Sequence, residues 1–382
     1  MKKPTWAKAT IQAGNEFHIR YQHPIRHNVI NTLATLILGL SILGPIVASL
    51  YTHWMWYPLL GVLLGSGFFG YFILIIHEAS HNMLFLSTNN HRRRVVNHSL
   101  GKLAAIPFFT EYIRHWEEGH VTHHVKPCES DDPQNPDPLY GKQLLKTIAK
   151  IWVTPFGFMP INPSAKYDKK LKRMTLGALC WIPVVSFVYL INPISLMVLY
   201  IGYATLATLN LCKIAQEHGA GLADEPYPIL RSRTYFYPLQ WLFSPFNIHY
   251  HYEHHANCNV PWYLLPSYHN VVHDIIPEEL RQHFIHREYW AQMMGTKELP
   301  QWQTEPRAIS SYKTEVVSMI EKMFATGAVK QENHRCIYEN DTILVEHSFM
   351  TFPDGSREAV LAVHTLQDGK IIRTETGATL LK

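Results

Sequence analysis

The chain has 382 residues, enough for one large domain or two of ordinary size with a sizeable buried core. A formal net charge of +4 is too mild to argue for nucleic acid, and none is expected as a partner. Five cysteines, Cys128, Cys180, Cys212, Cys258 and Cys336, stand singly with no CxxC pair. That spacing excludes a disulfide framework or an iron–sulfur module and points to reduced thiols, while the 24 histidines are the compositional outlier.

In chain order, Met1 to His27 is polar and basic without a short apolar core, so it does not read as a cleaved signal peptide. Val29–Leu50 and Met55–Ile76 follow, each 22 residues without a charge. As helices they would be about 33 Å long, enough for the roughly 30 Å hydrocarbon core of a bilayer. Ser99–Ile113 is apolar but too short to span and is broken by Pro107, which predicts an interfacial or re-entrant helix. "KPCESDDPQNPDP", Lys126–Pro138, has loop composition; Asp131, Asp132 and Asp137 are acceptors in principle, and a solvated loop is expected. Met174–Ile191 and Ile194–Cys212 form a second uncharged pair joined by Asn192 and Pro193, and Pro183 inside it is tolerated in a membrane helix. Trp54, Trp56, Tyr57, Trp152, Trp241 and Trp262 fall near the expected interfaces, as an aromatic belt would.

Charge sets the orientation. Lys2, Lys3, Lys8, Arg20 and Arg26 precede the first span, and Arg92–Arg94, Lys142–Lys150 and Lys166–Arg173 lie between the two pairs, whereas both short turns lack Lys and Arg. The positive-inside rule then puts both termini and the middle segment in the cytoplasm, making the chain an integral, multi-pass membrane protein. The expected fold is mainly α, a four-helix transmembrane bundle under a cytoplasmic helical cap over residues 1–300, followed by a small α+β domain over 301–382. In that tail Ser310–Ala325 reads as an amphipathic helix, and alternating stretches such as "TILVEHSFMTF", broken at Pro353–Gly355 and Gln367–Lys370, read as hairpin strands. His334, His347 and His364 form no recognisable catalytic set, so a docking or oligomerisation module is expected.

The chemistry lies in three short stretches. "HEASH" gives His77 and His81; "HVTHH" gives His120, His123 and His124; "HYEHH" gives His251, His254 and His255. On a helix, positions i, i+3 and i+4 share a face, so each triad can aim its imidazoles at one point. Eight imidazoles exceed the three or four of a single zinc and suit two metal ions; ligand type alone leaves iron, copper, zinc or nickel open. HExxH is also the signature of a zinc peptidase, a reading that would leave both triads idle. Glu78 and Glu117 form ExxH strings with His81 and His120, as in ferritin-like diiron bundles, which does not explain the triads. A metal transporter or sensor would need its ligands inside the bilayer rather than at its edge.

The three boxes, placed after span two, before span three and after span four, resemble those of the membrane fatty-acid desaturase and hydroxylase superfamily. "FNIHYHYEHHANCNVPWYLLP" is similar to that family's third-box surroundings, with Asn247 four residues ahead of the box and NVPW behind it. The likeness covers roughly His23 to Gln292. It implies a nonheme diiron centre, dioxygen as co-substrate, electrons from an external ferredoxin or cytochrome b-type donor and its reductase, and an acyl-chain or other lipid substrate. Desaturation is the reading preferred, with hydroxylation or carotenoid ketolation as alternatives and no catalytic residue apart from the metal site. "NLCKIAQEHGAGL" resembles a segment that supplies one further imidazole, which makes His218 a ninth ligand candidate. The tail resembles the second half of a nuclear-transport-factor-like or polyketide-cyclase-like domain.

The other histidines near these stretches are expected to serve elsewhere. His115 and His249 read as neighbours or surface groups; His23, His27, His91, His98, His269, His273, His283 and His286 read as solvated. Glu78, Glu117, Glu118, Glu217 and Glu253 could accept the second ring N–H of a ligand histidine.

Overall fold

The computed structural model describes residues 5–129, 132–134, 141–153, 170–219, 222, 228–286, 330–340, 342–352, 355–367 and 370–381. The chain forms two compact units, Met1–Gln301 and Trp302–Lys382. The expected amphipathic helix over Ser310–Ala325 lies outside the described residues.

Among the described residues of the first unit, four helices are long and apolar enough to cross a membrane: Pro24–Tyr51, Trp54–Ser80, Met174–Ile191 and Pro193–His218. They match the four expected spans, with two differences that matter for the site. The second runs on through a π-helical turn, Phe72–His77, into a short α turn, Glu78–Ser80. The fourth continues beyond Cys212 to end on His218, so that histidine is delivered by the helix itself. Pro24 opens the first helix at its first position, where a missing N–H costs nothing.

Spans two and four pack closely because small residues face each other. A Cβ on Gly65 would lie 2.4 Å from Thr205 Cβ, one on Gly61 2.4 Å from Ile201 Cγ2, and one on Gly202 2.8 Å from Leu64 Cδ2. In a membrane, where apolar contact with lipid competes equally, such close backbone approach is what holds helices together. At the ends remote from the histidines, Ser49 C=O accepts from Tyr57 Oη at 3.0 Å and Ser195 Oγ at 2.6 Å, tying spans one, two and four. Span three faces outward and is anchored by Trp181, whose Nε1–H donates to Pro107 C=O at 2.6 Å.

The segment before box two is more helical than expected. A helix runs Asn90–Ala105, and Pro107 falls in the following 3-10 turn, Ile106–Phe108, which Phe109 closes in the left-handed region. A second π turn, Tyr112–Glu117, leads into the box-two helix Glu118–Val125. Box three occupies a short helix, His251–Ala256. The second unit contains a four-stranded antiparallel meander, Lys330–Glu339, Ile343–Thr351, Arg357–Gln367 and Lys370–Leu380, paired in sequence order.

Candidate metal centre

All nine histidines singled out in the sequence come together, in two groups. His77, His81, His120, His124 and His254 form one; His123, His218, His251 and His255 form the other. Within each group the nearest ring nitrogens all lie within 4.8 Å of one another. Ligands on opposite sides of one ion, each about 2.1 Å from it, are roughly 4.2 Å apart, so each group has the span of a single metal site. His124 and His255 stack at 4.3 Å between centroids and bring the two groups side by side.

The triads therefore do not each converge on one point, as helical spacing alone suggested. Residues i and i+4 stay together: His77 with His81, His120 with His124, His251 with His255. The i+3 member crosses to the other group: His123 leaves box two's pair and His254 leaves box three's. The reason is angular. A step of four residues turns a helix by about 40° past a full circle, whereas a step of three falls about 60° short, so the two positions diverge on either side of the first. One π turn ends on His77, the first histidine of box one, and another ends three residues before His120, so each resets the helix phase where ligands are presented, a placement such turns favour at functional sites.

His77 Nε2 faces His254 Nε2 at 3.0 Å, and His218 Nε2 faces His251 Nε2 at 2.9 Å. Buried nitrogens without a hydrogen-bond partner include His81 Nε2, His124 Nδ1, His251 Nδ1 and both ring nitrogens of His255. Each such orphan costs about 1–3 kcal/mol when left unsatisfied. Burial, reinforced by neighbouring imidazoles, lowers the pKa of His120, His124, His251, His254 and His255, and pulls His81 down to about 3. Neutral, mutually facing, solvent-shielded imidazoles are the form that binds a divalent metal, so the residues fit a pair of such ions.

The outer contacts follow the expectation in part. Glu78 Oε1 lies 3.3 Å from His77 Nδ1, though not aligned for a hydrogen bond, and Glu217 Oε2 lies 3.3 Å from His251 Nε2 while paired with Lys213 Nζ at 2.5 Å. Glu117 instead receives His98 Nδ1–H at 2.8 Å, and Glu118 is exposed. Glu253 accepts from Thr234 and, at 2.6 Å, from His269, neither of them in a group. The acceptors that do reach the nine are others. His123 Nδ1–H donates to Asp132 Oδ2 at 2.8 Å, His120 Nδ1–H to Gln134 Oε1 at 2.5 Å, and His218 Nδ1–H to Arg231 C=O at 2.7 Å. Asp132 is thus buried at 6 % exposure, against the expectation of a solvated loop.

Two histidines expected in solvent are also structural. His27 is fully buried, its Nε2 at 2.6 Å from Met83 C=O and its Nδ1 at 2.9 Å from Tyr263 Oη. Next to it Asn31 donates to Met83 and Leu84 carbonyls and receives Trp262 Nε1–H at 3.0 Å, so the NVPW stretch is docked on the first span directly behind box one. His249 is buried beside Gln240 and Phe236, away from both groups, with its pKa lowered by burial to about 4. His269 is mostly buried against Glu253. The side chains of His283 and His286 lie outside the described residues.

Asn247, ahead of box three, sits in the left-handed region at φ 58°, a conformation asparagine tolerates, and its amide holds Trp262 C=O at 3.1 Å. Arg233, fully buried and drawn down to about 9 by burial, donates to Gly219 C=O immediately after His218.

The model of the fatty acid desaturase family matches residues 52–287. A sphingolipid delta(4)-desaturase of Drosophila melanogaster is 26% identical over 247 residues, covering 60% of this chain and 72% of that protein. A sphingolipid delta(4)-desaturase/C4-monooxygenase of Mus musculus is 27% identical over 233 residues, covering 59% and 67%, and its Homo sapiens counterpart is 29% identical over 216 residues, covering 54% and 61%. With the family match spanning three of the four long apolar helices, from Trp54 to His218, and all nine histidines, the chain belongs to the fatty acid desaturase family and is an oxidoreductase of the desaturase or hydroxylase type.

Proposed function

We propose that this protein is a membrane-bound diiron enzyme that removes hydrogen from an unactivated C–H bond of a lipid chain. The observation that carries this is the division of nine histidines, six buried and three half-buried, into adjoining groups of five and four. His77, His81, His120, His124 and His254 would hold one iron, and His123, His218, His251 and His255 the other, where fewer protein ligands leave more of the coordination sphere free. When bound, the iron pair supplies the dioxygen and redox chemistry, with electrons from an external ferredoxin or cytochrome b-type partner and its reductase. The protein's own part is positioning and exclusion of water. Asp132, Gln134 and Arg231 C=O keep the proton on Nδ1 of their histidines, which turns each Nε2 lone pair inward. Trp116, 6.0 Å from His120, continues through Phe72, Phe108 and Phe68 into the bundle, an apolar aromatic wall against which a chain can lie.

The names of the relatives favour a sphingolipid-like substrate, and the pairing of desaturase with C4-monooxygenase in one of them supports hydroxylation as a second reading. The positive-inside pattern supports a cytoplasmic site and cytoplasmic termini. The second unit reads as a docking or oligomerisation module of nuclear-transport-factor-like kind; its His334 and His364 pair with Glu346 at 3.1 and 3.2 Å across the sheet. The test is to incubate membranes containing the protein and a reductase system with labelled sphingoid and acyl lipids. Loss of two hydrogens reports desaturation and gain of one oxygen hydroxylation; an unchanged lipid pool with a functioning reductase counts against both.

A further inference from the structure

Asp132 and Gln134 lie two positions apart on the loop after box two, and each reaches a different histidine group. Asp132 Oδ2 accepts from His123 Nδ1–H at 2.8 Å and from Cys128 N–H at 3.1 Å, and its Oδ1 accepts from Gln134 N–H at 2.9 Å. Gln134 Oε1 accepts from His120 Nδ1–H at 2.5 Å, and its Nε2 donates to His115 C=O at 2.5 Å. Arg231, whose carbonyl holds His218, grips the same loop by donating to Pro127 C=O and Glu129 Oε1, both at 3.1 Å. The carboxylate of Asp132 has no exposed surface, so its hydrogen bonds are made in a medium that strengthens them.

We propose that Asp132 and Gln134 are positioning residues of the dimetal centre: one short loop fixes the tautomer and ring angle of an imidazole in each group and so sets the two ions in register. The inference rests on the diiron reading above. It adds an asymmetry. His123 hydrogen-bonds to a carboxylate, which raises its donor strength, whereas His120 hydrogen-bonds to a neutral amide. Outer partners of this kind typically hold roughly 10–100-fold in metal affinity.

The test uses full-length, iron-loaded protein in detergent. Iron per chain is measured after equilibration against a graded chelator, and Mössbauer spectra are recorded, for the parent, Asp132→Leu, Asp132→Asn and Gln134→Leu. The parent is expected to hold an iron pair. Asp132→Leu should weaken one iron by roughly 10–100-fold and leave about half the iron at intermediate chelator. Asp132→Asn, which keeps an acceptor oxygen, should retain both irons with an altered signal from one site only, and Gln134→Leu should alter the signal of the other. Both irons at parental affinity with an unchanged spectrum in Asp132→Leu would overturn the proposal; should that variant not fold, an unchanged spectrum in Asp132→Asn does the same. A parent without an iron pair strikes the diiron reading instead, so the two failures are distinct.

Discussion

Adding one methyl group at Gly65, in the middle of span two and far from any histidine, should cost this enzyme much of its activity. The added Cβ would stand 2.4 Å from Thr205 Cβ and 2.7 Å from the Gly202 carbonyl oxygen. Ordinary contact begins near 3.4 Å, so span four must retreat by about 1 Å. Neither neighbour can yield alone, because one is backbone and the other is a β-branched carbon next to the backbone. Overpacking of this size costs roughly 1–3 kcal/mol. Span four ends on His218, whose Nε2 is 2.9 Å from His251 Nε2, so the displacement is passed to the four-histidine group. A misplacement of about 1 Å at a reacting centre can lower turnover on the order of 100-fold. The comparison is Gly39→Ala in span one, where nothing lies within 4 Å; it should leave turnover unchanged. Thermal unfolding in detergent, followed by tryptophan fluorescence, and product formation in membranes give the two readouts. Parental stability and turnover in Gly65→Ala would refute the claim that close packing of spans two and four positions the site.

Three further outcomes are expected. His124→Ala and His254→Ala should each abolish product formation while the protein still inserts in the membrane; turnover with parental iron content in either purified variant would contradict the assignment. The metal-free protein should lose stability as pH falls. An unfolded imidazole titrates near 6.5 while His81 is held to about 3 by burial, so between those values the unfolded state takes up more protons and is favoured by acid. Because burial also lowers His120, His124, His251, His254 and His255, unfolding midpoints measured from pH 7.5 down to 5 should fall more steeply than for one proton, and a flat profile would count against the neutral cluster. His27→Ala should destabilise by about 1–3 kcal/mol, because it strips Tyr263 Oη of a buried partner and Met83 C=O of one donor; an unshifted unfolding midpoint would show that the contact is dispensable.

The spans and the boxes were legible in the sequence because both follow from local rules. A bilayer demands long uncharged helices, and a metal demands several imidazoles within a few residues. His218 was readable only through resemblance, and the structure explains it as the last residue of a helix longer than its apolar stretch. What local spacing did not reveal was the partition of the triads, which depends on how each helix is rotated about its axis when packed and on the π turns that set that rotation. Asp132 and Gln134 escaped for a different reason. They sit in a stretch of Pro, Asp and Asn that looks solvated by composition, and only tertiary contact with box two buries Asp132 and half-buries Gln134. His27 and His269 show the same effect among histidines: both look exposed by the polarity of their segments, yet each meets a partner on another element, Met83 and Tyr263 for one and Glu253 for the other.

The most direct test is the metal itself. Protein purified in detergent, reconstituted with ferrous iron under anaerobic conditions and freed of excess, should carry two irons per chain by elemental analysis, with zinc, copper and nickel near background. His254→Ala and His255→Ala, one residue from each group, should each reduce that number. A single zinc per chain, or iron that does not depend on these histidines, would contradict the account.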